Sequence, residues 1–161
     1  MFNFSIKTLR RSVSIAATAT TLTAALTGCS ASVAMDPAAD SNNPRCAALT
    51  VRLPNEIDHN KQRTTTSQAT AAWGSPAAIL SRCGLPEVLA STLPCVTAGG
   101  VDWLVDATNA PNYRFISFGR KPATEVIVNS KAASGVQALD AIGFSLNQAI
   151  PADRLCVDPK S

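Results

Sequence analysis

Five cysteines constrain the folds open to this 161-residue chain more than any other residue type does. In an exported protein an odd number leaves one thiol without a partner, whereas an even number closes into disulfides. Cys29 stands apart because it directly follows a segment that is typical of a secretory signal. The other four predict two disulfides that staple one small domain. They are Cys46, Cys83, Cys95 and Cys156.

The pairing of the four cysteines stays open at this point, because four cysteines allow three connectivities. We favour Cys83 with Cys95, which closes 13 residues, and Cys46 with Cys156, which joins the two ends of the domain. In the chain-entropy model the short loop contributes about 3 kcal/mol and the long loop about 4.7 kcal/mol. Zinc binding is the competing use, but the chain has no C-x-x-C pair and a single histidine. We therefore expect no metal and no other cofactor.

The N-terminal segment has the three parts of a secretory signal. Residues 1–11 carry three cations and no acidic residue, and the next 15 residues are uncharged and mainly apolar or small. This stretch is shorter than the roughly 20 apolar residues of a membrane-spanning helix. It ends in Leu26-Thr27-Gly28-Cys29, which resembles a lipobox. We expect residues 1–28 to be a lipoprotein signal peptide and Cys29 to receive a diacylglyceryl group; an ordinary signal followed by a free cysteine is the alternative.

Charge and anchor together indicate the partners of the mature chain. The formal net charge is +3, but three of the 14 Lys and Arg residues would leave with the signal. The remaining 11 cations balance the 11 Asp and Glu residues, so no long-range field attracts nucleic acid. Two acyl chains are enough to hold a protein stably on a membrane. We therefore expect a protein on the outer face of the cytoplasmic membrane, with no nucleic-acid partner.

Composition divides the mature chain into a tether, a domain and a tail. Residues 29–44 hold the lipidated cysteine and a run of Ala, Ser, Asp, Asn and Pro, which is typical of a flexible tether. Residues 45–157 form one globular domain, and residues 158–161 form a tail. Within the domain, residues 55–68 predict a long polar loop.

Hydrophobic periodicity predicts one antiparallel sheet between two helices. Asn43 and Pro44 suit the start of a short helix that Pro54 ends. A strand is expected from residue 77 to residue 84, a turn at Gly99-Gly100 follows residues 95–97, and three strands lie over residues 101–106, 113–118 and 125–128. A C-terminal amphipathic helix follows, with apolar residues three or four positions apart. These are Val136, Leu139, Ile142, Leu146 and Ile150. We predict an α+β fold with about four or five strands, a short N-terminal helix and a C-terminal helix, stapled by disulfides.

Few residues suggest catalysis. His59, the single histidine, follows Asp58, and Ser67 and Ser75 are the conceivable nucleophiles. The mature chain has neither a G-x-S-x-G elbow nor an S-x-x-K arrangement. A lone histidine among polar residues is usually a solvated side chain, so we assign no catalytic residue.

Arg82 is the strongest candidate for a buried charge, because it lies beside Cys83 near the middle of the domain. A buried arginine requires a carboxylate, and Asp102 or Glu125 could supply it. Trp103 adjoins Asp102, and aromatic residues on strands are more often core than ligand-binding. We predict that Arg82 and Asp102 form a structural pair beside Trp103, or that these three residues belong to a binding site if a pocket opens beside them.

The order of landmarks along the domain resembles a known family. The landmarks are Cys46-Ala47-Ala48-Leu49, Leu53-Pro54, Ala72-Trp73-Gly74, Arg82-Cys83-Gly84, Gly100-Val101-Asp102-Trp103-Leu104 and Glu125-Val126. Their spacing over residues 45–157 is similar to that of DUF3515, an actinobacterial family of unknown function. The resemblance implies a cell-envelope protein, commonly lipidated or membrane-anchored, and it implies no activity and no catalytic residue.

The function that these features favour is a non-enzymatic binding module, tethered to the membrane and directed at an envelope protein or ligand that the sequence does not identify. One alternative is a hydrolase or transferase that acts on envelope material through His59 or a carboxylate. A second is a small-molecule or lipid carrier, which would require a deep apolar cavity.

Overall fold

The fold is built on one large antiparallel sheet. The structure is a computed structural model that describes residues 31–156. Its two helices are α1 (Pro44–Thr50) and α2 (Gly135–Ala149). Its strands are β1 (Glu56–Ile57), β2 (Asn60–Arg63), β3 (Thr70–Trp73), β4 (Ile79–Leu85), β5 (Cys95–Ala98), β6 (Val101–Asp106), β7 (Asn112–Ser117) and β8 (Ala123–Asn129).

The strand order shows two antiparallel meanders joined at the centre of the sheet. The order is β1-β2-β3-β4-β8-β7-β6-β5, so β4 pairs with β8 and the two edges are β1 and β5. The connection over residues 86–94 therefore carries the chain from the centre of the sheet to its far edge. The prediction of four or five strands is wrong: eight strands lie within residues 31–156.

The additional strands lie mainly in the predicted polar loop, which is a hairpin. Ile57 pairs with Asn60 across the two-residue turn Asp58-His59. Both turn residues have positive φ, 47° and 62°, as a type I′ hairpin turn requires. Strand β2 is Asn-Lys-Gln-Arg, and β3 is buried at all four positions, so neither shows the alternation of a half-buried strand. This is why periodicity missed them.

Both helices cover one face of the sheet and close the main core there. Asn43 Oδ1 accepts a hydrogen bond from Arg45 N, which caps α1, and Ser134 caps α2 in the same way. The core contains Leu139, Ile142, Leu146 and Ile150 from the predicted C-terminal helix and Trp73 and Trp103 from the sheet. Val136, which the spacing assigned to the same face, is 67% exposed.

The disulfides join Cys46 to Cys83 and Cys95 to Cys156, with Cα–Cα distances of 5.6 and 6.6 Å. Two disulfides form from these four cysteines, as expected, but the favoured pairing of Cys83 with Cys95 and Cys46 with Cys156 is wrong. Cys83 lies on β4 and Cys95 on β5, and three strands separate β4 from β5 in the sheet. A short separation in sequence is therefore a long distance in space.

The segment before α1 lies against the domain. Val33 donates to Thr64 O and accepts from Thr66 N, and Asp40 N donates to Gly84 O at 3.0 Å. Gly84 has a φ of +111°, and a Cβ there would lie 2.6 Å from the Asp40 carbonyl carbon. Backbone groups make most of these contacts, so a composition poor in large apolar residues gave no sign of them.

Candidate ligand-binding site

The second face of the sheet is covered over only part of its area. The connection over residues 86–94 places Val88 and Leu93 on a small apolar cluster that includes Leu104, Ile116 and Phe118. Beyond that cover, the ends of β4, β7 and β8 and the β6–β7 loop enclose a groove of about 730 Å³. We call it the Arg114 groove. Its lining includes Leu80, Ile127, Asn109, Asn112, Asn129 and Arg114.

Arg114 is held in place by a buried carboxylate. Glu125, which is 4% exposed, accepts a hydrogen bond on Oε1 from Arg114 Nε. The two residues lie on neighbouring strands of the same face, because Glu125 pairs with Ile116, two positions along β7. No acceptor in residues 31–156 takes a hydrogen bond from the two η amino groups of Arg114. The guanidinium is thus fixed on one side and available on the other.

Arg82 holds the same carboxylate from the opposite side. Its Nη2 lies 2.7 Å and its Nε 2.9 Å from Glu125 Oε2, and the two residues are direct cross-strand partners on β4 and β8. Of the two carboxylates considered for Arg82, Glu125 is therefore the partner. Arg82 adjoins the groove through this ion pair but does not line it.

Asp106 is the remaining charged group on this part of the sheet face, directly opposite Arg114 in the register of β6 and β7. Thr108 donates to Asp106 Oδ1 from its hydroxyl at 2.6 Å and from its backbone amide at 3.0 Å. The hydroxyl bond, followed by the amide bond and the more distant charge of Arg114, lowers the pKa of Asp106 below its usual value. Asp106 is therefore ionised and solvated at neutral pH.

The three residues predicted to lie together are separated. Trp103 is fully buried on the helical face and donates from Nε1 to Ala98 O. Asp102 accepts from Thr97 Oγ1 at 2.6 Å and from Cys156 N at 2.8 Å, so it fixes the C-terminal segment to the edge hairpin. Only Arg82 reaches the charge cluster beside the groove.

The residues considered for nucleophilic catalysis are also dispersed. His59 is exposed at the tip of the β1–β2 hairpin, and it shares a shallow depression with Ser75. No hydrogen bond joins them in the part of the chain that the structure describes. Ser67 is occupied by a hydrogen bond to the carbonyl of Met35. Asp58 instead accepts a hydrogen bond at 2.6 Å from the backbone amide of Ser134, the residue that caps α2.

One cluster has the residue types of a metal site. Side-chain atoms of Cys95, Asp102 and Cys156 lie within 4.8 Å of one another. The two sulfurs are bonded to each other in a disulfide, so neither is present as the thiolate that binds zinc. The cluster is an anchor for the C-terminal segment.

Arg120 is a buried cation that the sequence interpretation did not single out. It is 1% exposed and donates to the carbonyl of Ile150 at the end of α2, to Gly100 O and to Asn147 Oδ1. Burial lowers the pKa of this guanidinium, and the Asp102 carboxylate acts in the opposite direction. The sequence carried no signal of this burial, because a cation in a connection between strands is usually exposed.

The predicted lipid attachment at Cys29 lies outside the described residues. Between residues 31 and 156, neither helix has the length and apolar character to span a bilayer.

Comparison with known proteins gives a family and nothing closer. A family model described as "Protein of unknown function (DUF3515)" matches residues 11–155, beginning well before the range of 45–157 that the resemblance indicated. No curated protein and no solved structure matches the chain. Because the match spans most of the sequence, this chain belongs to the DUF3515 family.

Proposed function

We propose that this chain is an exported envelope protein, anchored through a diacylglyceryl group on Cys29, that acts as a non-enzymatic binding module. The Arg114 groove is the observation that carries the binding role. Ligand sites combine an apolar surface with a few convergent polar groups in a volume of about 300–1,000 Å³. The groove has that volume, a floor of Leu80 and Ile127, and a pre-positioned cation in Arg114.

Rigid support strengthens this assignment. The groove rests on β4, β7 and β8, the central strands of the sheet, and a buried carboxylate fixes its arginine. Sites on such elements hold their geometry better than sites on loops. The exposed β6–β7 loop forms one wall of the groove, with Thr108 and Asn109.

The cysteine pairing supports the anchor. Within residues 31–156, Cys46 pairs with Cys83 and Cys95 pairs with Cys156, and the fifth cysteine of the printed sequence is Cys29. The thiol that follows Leu26-Thr27-Gly28 is thus available for lipid attachment, and the disulfides suit an oxidising compartment outside the cytoplasm.

Native mass spectrometry of the protein extracted from its membrane in detergent tests both parts. We expect a chain that begins at Cys29, carries a diacylglyceryl group and is four hydrogens short for the two disulfides. Cys29→Ala should abolish the lipid mass. A chain that begins at Met1, or one without lipid, would contradict the anchor.

A pair of tryptophan variants tests the binding role of the groove by the same native mass spectrometry. Asn109→Trp would fill the groove wall, and Asn42→Trp adds the same bulk at an exposed position away from the groove. A co-purified ligand should be lost from Asn109→Trp and kept by Asn42→Trp. Equal retention by both variants would remove the groove as the binding site.

A further inference from the structure

We infer that the Arg114 groove recognises a hydroxylated organic anion of about sugar size, with Arg114 binding its carboxylate or phosphate group. This inference rests on the proposed binding function and adds the chemical class of the ligand.

The first argument is the geometry of the guanidinium. Arg114 Nε is bonded to buried Glu125, which prevents the planar group from turning away. The two η amino groups then form a fork that matches two oxygens of a carboxylate or phosphate. The side chain is 35% exposed, so it is partly shielded from water but still accessible. A pre-organised donor pair loses little entropy when an anion binds.

The second argument is charge. Among residues 31–156, Arg114 is the only ionisable residue that lines the groove. Glu125 does not repel an anion strongly, because Arg82 forms an ion pair with one of its oxygens and Arg114 with the other. The three side chains together carry a net positive charge. Asp106 does repel an anion, but this carboxylate is bonded to Thr108 and open to water, where screening is strong.

The third argument concerns the rest of the lining. Asn109, Asn112 and Asn129 surround the groove with carboxamides, each of which offers donors and an acceptor. Asn129 Oδ1 accepts from Lys131 N at 3.0 Å, and the other two side chains make no hydrogen bond within residues 31–156. Hydroxyl groups donate and accept, so several of them match such a set. Leu80 and Ile127 provide a floor for the C–H face of the ligand.

The test is an NMR titration of the isotopically labelled full chain in detergent micelles with three probes: glucuronate, glucose 6-phosphate and glucose. We expect at least one of the two anionic sugars to shift the Arg114 Nε–H signal and the Asn109 and Asn112 side-chain signals saturably below about 10 mM. The stronger of the two identifies the preferred anionic group. Glucose should bind about tenfold more weakly or not at all, because it lacks the charge.

Three variants separate recognition from general effects of charge. Arg114→Gln should weaken anion binding about tenfold or more. Arg52→Gln is the matched control, because it removes an exposed cation that neither lines the groove nor pairs with Glu125; we expect about a twofold change or less. Asp106→Asn should strengthen anion binding, since it removes the opposing charge.

Two results would overturn the inference. If glucose bound as strongly as the anions and Arg114→Gln had no effect, the groove would recognise neutral polar groups. The inference about an anion would then fail, whereas the proposed binding function would still hold. Absence of binding by all three probes would refute a sugar-sized hydroxylated anion as the ligand, and the groove-filling variant would then decide the binding role alone.

Discussion

Removal of the Cys46–Cys83 disulfide should destabilise the domain more than removal of Cys95–Cys156. The two bridges span sequence separations of 37 and 61 residues. In the chain-entropy model, loops of this size contribute about 3.8 and about 4.3 kcal/mol to the free energy of unfolding. Loop length alone therefore predicts the opposite order, with the Cys95–Cys156 bridge contributing about 0.5 kcal/mol more.

Burial reverses that order. Cys46 and Cys83 are 0% and 2% exposed in the main core, whereas Cys95 is exposed and Cys156 is half-buried. Each buried sulfur that is truncated to alanine removes apolar volume worth about 0.8 kcal/mol, as for a buried methylene. Two such losses add about 1.6 kcal/mol before any cavity cost. The expected totals are about 5.4 kcal/mol for C46A/C83A and about 4.3 kcal/mol for C95A/C156A.

Urea unfolding followed by tryptophan fluorescence measures this difference, because Trp73 and Trp103 are fully buried in the folded domain. The two double variants are matched, since each removes two sulfurs and one cross-link. Equal slopes of the transitions would confirm that unfolding exposes comparable surface. If C95A/C156A proved the less stable variant, loop entropy would outweigh burial and the reasoning would be wrong.

Three further perturbations test other parts of the structure. Thr108→Ala should raise the pKa of Asp106 in an NMR titration of its carboxyl carbon, because the largest of the effects that lower it is the Thr108 hydroxyl bond. Because the pKa of Asp106 is lower in the folded state than its unfolded-state value near 3.8, its carboxylate stabilises the fold at pH values above 3.8. This contribution is lost as the pH falls through the folded-state pKa. An unchanged titration in Thr108→Ala would show that the Thr108 hydroxyl does not lower the pKa of Asp106. Gly84→Ala should speed hydrogen exchange at the Asp40 amide, because the added Cβ would push the Asp40 backbone away from the Gly84 carbonyl that accepts its hydrogen bond. Unaltered protection of this amide would refute the close approach of Gly84 to Asp40. Arg120→Met should lower stability by about 2–4 kcal/mol in a thermal melt, because buried carbonyl groups lose their donor, and an unaltered melting temperature would show that they find another.

Features determined by near neighbours in the sequence were predictable. Asn43 and Pro44 begin α1 as the capping rules indicate, and the spacing of Leu139, Ile142 and Leu146 identified the buried side of α2. The alternation over residues 101–106 is a strand with Val101 and Trp103 in the core. Each of these depends on a few residues whose side chains act locally.

Features determined by strand order were not predictable. The sequence left Asp102 and Glu125 as alternative partners of Arg82, and only the pairing of β4 with β8 selects Glu125, 43 residues later. The pairing of β8 with β7 then brings Glu125 to Arg114. Periodicity indicates which face a residue occupies but not which strand is adjacent. The disulfide pairing failed for the same reason, and the Arg114 groove could be located only after the sheet was assembled.

The docked segment before α1 changes how a lipid on Cys29 would hold the domain. Arg63 Nη2 donates to the carbonyl of Ala31 at 2.5 Å, and the Cα atoms of Cys29 and Ala31 can be no more than about 7 Å apart. A long flexible chain would let the domain sample a hemisphere above the bilayer. Such a short stalk would instead restrict it to a narrow range of tilts, with the side around Arg63 nearest to the headgroups. The membrane would then block the approach of a ligand from the side around Arg63 and leave the opposite side of the domain accessible.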